Sequence, residues 1–141
     1  MKISPAQIAA ALKKIDNDVN APTPEQTLVI SSPLEPAVVV AGAGSGKTET
    51  MSARVLWLVI NGYVKPDQIL GLTFTRKAAG ELAIRIRTRL RQLMKSDLVS
   101  PELAEEIENN LDVTVLTYHS YAARVLSEHA IRIGIDADAT P

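Results

Sequence analysis

The sequence predicts an α/β domain in which a parallel sheet is flanked by helices in three layers. Two observations carry this prediction. Apolar segments typical of buried strands alternate with segments of helical periodicity, and a glycine-rich loop joins one such strand to a helix. Strands that alternate with helices usually pair in parallel, and the helices then cover both faces of the sheet.

The composition is that of a single globular domain. The chain has 141 residues, of which 46% are hydrophobic, and a formal net charge of -1, so one buried core is expected. It has no cysteine and 2 histidines, which excludes a disulfide framework, disfavours a zinc site and suits a reducing cytoplasm. The longest apolar run, residues 55–60, is far shorter than the roughly 20 residues of a membrane span, and we expect no membrane contact.

Two short helices and a strand are predicted first. A Ser-Pro pair at residues 4–5 offers a cap and a first-turn proline to the first helix. Its apolar face comprises Ile8, Ala11, Leu12 and Ile15. A Thr-Pro pair at residues 23–24 begins a second helix that runs to about Ile30. The continuous apolar run at residues 37–41 then predicts a buried parallel strand.

The rest of the chain alternates helices and strands. Helices are predicted over residues 46–61, 76–94, 101–110 and 121–133, and strands over residues 69–74 and 113–117. The first of these helices is expected to turn inward Met51, Val55, Leu58 and Val59. The second is expected to turn inward Ala79, Leu82, Ile86, Leu90 and Leu93.

The glycine-rich loop spans residues 41–48 and reads Ala-Gly-Ala-Gly-Ser-Gly-Lys-Thr. Glycines let successive main-chain N–H groups converge on a phosphate, and the start of the following helix adds its positive dipole end. We expect Lys47 to reach the β- and γ-phosphates of a nucleotide and Thr48 to hold Mg²⁺ through its hydroxyl. The alternative is a structural turn that happens to carry a lysine.

Three further segments narrow the class of protein. They are Thr-Pro-Glu-Gln at residues 23–26, Gly-Leu-Thr-Phe-Thr-Arg-Lys-Ala-Ala-Gly-Glu-Leu at residues 71–82, and Val-Leu-Thr-Tyr-His-Ser at residues 115–120. With the loop, they resemble, in order, four motifs of the UvrD/PcrA/Rep-type superfamily 1 DNA helicases. The resemblance covers roughly residues 23–126. It implies the first half of a RecA-like domain, an incomplete P-loop NTPase fold, in an ATP-dependent helicase that unwinds duplex DNA in repair or recombination.

The resemblance implies a nucleotide site. Gln26 would read the adenine edge of ATP, since an amide carries both a donor and an acceptor. From local sequence alone the alternative that Gln26 only closes a helix capping box stays open. The implied ATP-contacting residues are Gln26, Ala43, Gly44, Ser45, Gly46, Lys47, Thr48 and Glu49. Lys47 and Thr48 are the catalytic residues among them, and Thr48 is the metal ligand.

The resemblance also implies contact with DNA. Phe74 would offer an aromatic surface to a base, and neighbouring hydroxyl and basic side chains would meet phosphates. The implied DNA-contacting residues are Thr73, Phe74, Thr75, Arg76, Thr117, His119 and Ser120. Without the resemblance, burial in the core is the commoner fate of an aromatic residue at a strand end. Likewise, a lone histidine such as His119 is more often a structural hydrogen-bonding group.

The chain departs from the strict phosphate-loop pattern in one place and from the family's pattern in three. Ala41 stands where the loop usually has glycine, Arg76 where asparagine is usual, and Tyr118 where phenylalanine is common. The fourth departure is a long spacer, residues 85–112. Basic residues concentrate at its start and acidic residues at its end. We expect a surface hairpin with internal charge pairing, the alternative being additional DNA contact.

These expectations divide the chain in three. Residues 1–22 form an N-terminal helix and linker, residues 23–134 a partial RecA-like ATP-binding domain that enters the family's inserted subdomain after about residue 120, and residues 135–141 a truncated or disordered end. The implied cofactors are ATP and Mg²⁺. The implied partners are single-stranded or partly duplex DNA and the rest of the helicase chain, in the cytoplasm beside the nucleoid.

The expected activity of this chain by itself is narrower. Because none of the predicted strands ends in the Asp-Glu pair that hydrolysis requires, we do not expect the chain alone to hydrolyse ATP. Two alternatives to a helicase segment are a small P-loop nucleotide or metabolite kinase and a nucleotide-binding adaptor.

Overall fold

A computed structural model describes residues 2–42, 44 and 46–134. Six α-helices and two strands are found there, with a short 3-10 helix at Pro66–Gln68. The elements are α1 (Pro5–Lys13), α2 (Pro24–Ile30), α3 (Lys47–Ile60), β1 (Leu70–Thr73), α4 (Arg76–Met94), α5 (Pro101–Asn109), β2 (Thr114–Thr117) and α6 (Tyr118–Ile133). Among the described residues, no helix combines the length and hydropathy needed to cross a membrane.

The sheet consists of β1 and β2, which pair in parallel. Its register joins Leu70 to Thr114 at one end and Thr73 to Thr117 at the other. Helices α4 and α5 connect the two strands, and α4 contacts both, so the strands and these helices form one β-α-β connection. The prediction of an α/β fold with parallel pairing is confirmed.

Side-chain caps explain where five of the six α-helices begin. Each starts after a serine or threonine whose hydroxyl oxygen accepts a hydrogen bond from the N–H three residues on. The capping residues are Ser4, Thr23, Thr75, Ser100 and Thr117. The cap at Thr117 starts α6 at Tyr118, three residues earlier than predicted. Helix α6 ends at Gly134 in the left-handed conformation, as expected for a glycine C-cap.

The core lies where α1, α3 and α4 meet. The inner face predicted for α4 is confirmed: Ala79, Leu82, Ile86, Leu90 and Leu93 are all buried. Burial of one such leucine or isoleucine contributes about 1.5–3 kcal/mol. For α3 the prediction is only partly right. Leu58 and Val59 are buried, but Met51 is exposed and Ser52 is buried in its place, because α1, α2 and α4 all pack on α3.

The buried strand predicted at residues 37–41 is absent. These residues form no strand, and Val38 and Val40 expose 91% and 93% of their surface. The reason is that a strand exists through hydrogen bonds to a neighbouring strand. An apolar run shows only that a segment is suited to burial in a sheet, and here neither β1 nor β2 pairs with it.

The spacer forms the expected hairpin, from α4 and α5. It is held by apolar side chains, since Leu93, Val99 and Ile107 are buried in the common core. Its acids point outward, and one of them, Glu106, lies 3.8 Å from Lys65. The expected pairing of charges inside the hairpin is not found: within residues 2–42, 44 and 46–134, no ion pair joins α4 to α5.

Candidate nucleotide and nucleic-acid sites

The described part of the glycine-rich loop has the backbone that its glycines allow. Gly44 and Gly46 both have φ of 77°, a left-handed conformation in which a side chain would be strained. Gly46 is the N-cap residue of α3, which starts at Lys47. Ala43 and Ser45, two of the predicted ATP contacts, lie outside the described residues.

The start of α3 differs from the other helix starts. Its cap, Gly46, has no side chain with which to bond the first-turn N–H groups. Lys47 and Thr48 are both exposed there. Uncapped N–H groups at the positive end of a helix dipole attract an anion. Lys47 and Thr48 therefore lie at a helix start of the kind that suits a phosphate, and their contact with one stays a prediction.

Gln26 closes a capping box on α2. Its Oε1 accepts a hydrogen bond of 2.9 Å from the Thr23 N–H, and the Thr23 Oγ1 accepts one of 3.2 Å from the Gln26 N–H. This does not settle the adenine prediction, because a carbonyl oxygen has a second lone pair. The side chain also lies against the loop: a Cβ atom on Gly46 would come within 3.1 Å of Gln26 Nε2. Folding thus brings the first two motifs into contact.

A cavity of about 530 Å³ opens beside this contact. Its walls come from α2, residues 39–41 and α3, with Gln26, Lys47 and Arg54 among the lining side chains. A volume between roughly 300 and 1,000 Å³ is typical of small-molecule sites. The cavity is therefore large enough for part of a nucleotide between the predicted adenine and phosphate contacts.

Glu49, predicted as an ATP contact, is held by α4. Its Oε2 lies 3.3 Å from Nη1 of Arg85, and its Oε1 is bonded to Nη1 of Arg89, whose side chain is only 15% exposed. The carboxylate is therefore neutralised beside a site proposed for phosphates. The contact of Glu49 with ATP stays a prediction.

The motif at residues 71–82 contains the start of α4. Thr75 is the cap of that helix, and its Oγ1 accepts a 3.1 Å hydrogen bond from the Ala78 N–H. Thr73 Oγ1 donates to the Thr75 carbonyl oxygen at 3.0 Å. Both hydroxyls thus shape the turn, whereas Arg76 projects from the first helical position and is exposed.

Phe74 is not a core residue. It is 88% exposed, so the alternative of burial in the core is wrong. Its ring lies 5.3 Å from that of the half-exposed Tyr118, centroid to centroid, with 40° between the planes. The pairing of Thr73 with Thr117 explains the contact, because Phe74 and Tyr118 follow these threonines at the carboxyl end of the sheet.

The motif at residues 115–120 provides the cap of α6. Thr117 is only 7% exposed, and its Oγ1 donates to Ser120 Oγ at 2.9 Å and accepts from the Ser120 N–H at 3.1 Å. His119 is exposed, and Ser120 is half-buried. Of the three predicted phosphate contacts, His119 is thus the most accessible, while Thr117 serves the helix start.

The sequence reasoning missed some residues that the structure brings to these sites. Tyr118 had a readable signal, because Leu-Thr followed by an aromatic residue occurs at both strand ends, in residues 72–74 and 116–118. Arg54, Arg85 and Arg89 had none. Their partners lie at sequence separations from 21 to 40 residues, which only the packing of α2, α3 and α4 determines.

These features are those of an α/β protein with a glycine-rich loop before a helix and an aromatic pair at the carboxyl end of its parallel sheet. Comparison with known proteins makes the assignment specific. The model of the UvrD/REP helicase N-terminal domain family matches residues 22–140. The chain belongs to this family.

The names of similar proteins agree with this family. DNA helicase IV of Escherichia coli (strain K12) is 36% identical over 119 residues, covering 76% of this chain and 15% of that protein. DNA helicase II of Haemophilus influenzae is 32% identical over 109 residues, covering 77% and 13%. The ATP-dependent DNA helicase PcrA of Staphylococcus epidermidis is 34% identical over 116 residues, covering 82% and 14%. The chain thus spans 13 to 15% of the length of these relatives.

Proposed function

We propose that this chain is the ATP-binding opening segment of an ATP-dependent DNA helicase that unwinds duplex DNA in repair or recombination. One observation carries the proposal furthest: Gln26 lies against Gly46, and Gln26 and Lys47 line one cavity. An amide at the proposed base end and a lysine at the phosphate end suit a nucleoside triphosphate. Family membership and the names of the relatives support the same function.

ATP and Mg²⁺ fit the residues present. The left-handed Gly44 and Gly46 and the uncapped start of α3 suit a phosphate. Lys47 would hold the β- and γ-phosphates, and the exposed Thr48 hydroxyl would be a Mg²⁺ ligand. The metal supplies neutralisation of the charge on those phosphate oxygens. We do not expect this chain alone to hydrolyse ATP.

We propose that single-stranded or partly duplex DNA binds at the carboxyl end of the sheet. The exposed rings of Phe74 and Tyr118 offer a stacking surface that suits any base. Arg76 and His119 are exposed beside them and suit phosphate contact, to which Thr73, Thr75, Thr117 and Ser120 would contribute through the helix starts that they shape. Such a protein would work in the cytoplasm beside the nucleoid.

The finer architecture is part of the same proposal. Residues 23–134 would be the first part of a three-layer RecA-like domain, preceded by a helix and linker at residues 1–22 and entering an inserted subdomain after about residue 120. Within such a domain, residues 37–41 would become a buried strand once the rest of the helicase chain supplied a neighbour. Their apolar side chains support this, because burial in a sheet is what their sequence suits.

Lys47→Ala tests the nucleotide site. Calorimetric titration of the 141-residue chain with ATP and Mg²⁺ should show binding, and the substitution should weaken it by about a hundredfold, since a charge-assisted contact with the phosphates is lost. Lys14→Ala, at an exposed lysine just after α1 and outside the cavity, is the matched control and should bind like the parent. Equal affinity in the parent and Lys47→Ala would show that the loop is structural.

A further inference from the structure

Arg54 makes an unusual set of contacts. It lies on α3, and its guanidinium donates to four main-chain carbonyls, in the last turn of α2 and in the residues just after it. Its Nη1 lies 3.2 Å from the carbonyl oxygen of Val29, 3.0 Å from that of Ile30 and 2.9 Å from that of Ser32. Its Nη2 lies 3.1 Å from that of Pro33. The side chain therefore clamps the end of one helix to the middle of another.

The clamp suits what the end of α2 lacks. The last carbonyls of a helix have no partners within it, and its C-terminal end carries partial negative charge. Helix α2 has 7 residues, too few to be stable in isolation. An arginine is a permanent cation with several donors in one plane, so it can both bond these carbonyls and hold the short helix in place. Arg54 thus fixes α2 against α3, together with the buried Ile30.

The two ends of α2 are therefore linked. One end is held by Arg54, and the other carries Gln26, whose side chain lies against Gly46 at the start of α3. Gln26 and Arg54 line the same cavity as Lys47. Movement of α2 relative to α3 would shift the Gln26 amide while leaving the loop and Lys47 on α3.

We propose that Arg54 is a positioning residue for base selection: by holding α2 on α3, it keeps the Gln26 amide at the place where it meets the base. This inference rests on the proposed ATP site and deepens it. Base and phosphate contacts are separable here, because the phosphates would be bound by α3 and its loop. The clamp should therefore affect which nucleotide binds more than whether a triphosphate binds.

The test compares ATP with inosine triphosphate, which differs only at the edge of the purine. Calorimetry gives the ratio of their dissociation constants for the parent chain, Arg54→Met and Arg54→Lys. Arg54→Met keeps the aliphatic stem and removes the donors, and the preference for ATP should fall about fivefold, the value of one net hydrogen bond. Arg54→Lys retains the charge, and its preference for ATP should lie between those of the parent and Arg54→Met. Arg91→Met, an exposed arginine of α4 outside the cavity, should keep the parent's ratio.

A double-mutant cycle separates positioning from mere stability. In the Gln26→Ala background, Arg54→Met should leave the ratio unchanged, because the amide through which it acts is gone. Equal weakening of both nucleotides by Arg54→Met, or a further change of the ratio in the Gln26→Ala background, would overturn the inference. If circular dichroism shows Arg54→Met unfolded, Arg54→Lys decides in the same way. Absence of ATP binding in the parent would instead refute the proposed function, and the inference with it.

Discussion

Phe74 shows at the scale of one residue how exposure separates a binding role from a packing role. An aromatic side chain that is 88% exposed contributes little to the free energy of folding. Its ring contacts that of Tyr118, itself half-exposed. Two neighbouring rings open to solvent form an apolar surface with no evident role in the core, which suits a stacking partner.

Phe74→Ala should weaken binding of a labelled single-stranded oligonucleotide by about 1–3 kcal/mol, the usual value of one base-aromatic stack. Fluorescence anisotropy at several salt concentrations measures this. The free energy of unfolding should change little, because the ring is exposed. Ile84→Ala, at an exposed apolar residue of α4 outside the motifs, is the control for lost apolar surface. Unchanged DNA affinity in Phe74→Ala would remove the residue from the proposed interface.

At the scale of elements, α3 and α4 are joined by apolar packing and by the two arginines on Glu49. The connection links the helix that begins at the glycine-rich loop to the helix that begins at Thr75. Because Arg89 is mostly buried, loss of its partner would leave a poorly solvated charge. The contact therefore matters more than an ion pair on an open surface.

Glu49→Ala should lower the free energy of unfolding by about 1 kcal/mol or more, because Arg85 and Arg89 both lose their partner. Urea denaturation measures the change. Glu81→Ala provides the comparison, since Glu81 pairs with Lys77 on an exposed face of α4 and should cost less than about 0.5 kcal/mol. Similar costs for the two substitutions would contradict the importance given to the pairing of α3 with α4.

At the scale of the whole molecule, the small size of the sheet determines which parts of the chain contribute to stability. In the described part of the chain the sheet has two strands, while a third apolar segment, residues 37–41, forms no strand and exposes its valines to solvent. The stability of the described part therefore comes from helices packed on one another and on a small sheet. Residues 37–41 should add little to it.

Val40→Ser measures this directly. With 93% of its surface exposed, Val40 should tolerate the change to within about 0.5 kcal/mol in urea denaturation. Leu90→Ala, at a fully buried residue of α4, should cost about 2–5 kcal/mol. A cost for Val40→Ser approaching that of a core substitution would mean that residues 37–41 are buried in solution.

The sequence by itself determined what depends on near neighbours in the chain. The starts of α1 and α2 followed from a serine and a threonine cap, the inner face of α4 from its periodicity, and the family from motifs such as residues 71–82. Each of these signals lies within one short stretch of sequence, so it can be recognised without knowing the rest of the fold.

Only the tertiary structure decided what depends on distant partners. It left residues 37–41 unpaired, placed Tyr118 beside Phe74, and brought Arg54 to the end of α2 and Glu49 to α4. The physical reason is common to all four. A strand needs a neighbouring strand, and an arginine needs an acceptor within about 3 Å, and the chain reveals neither until its helices are packed.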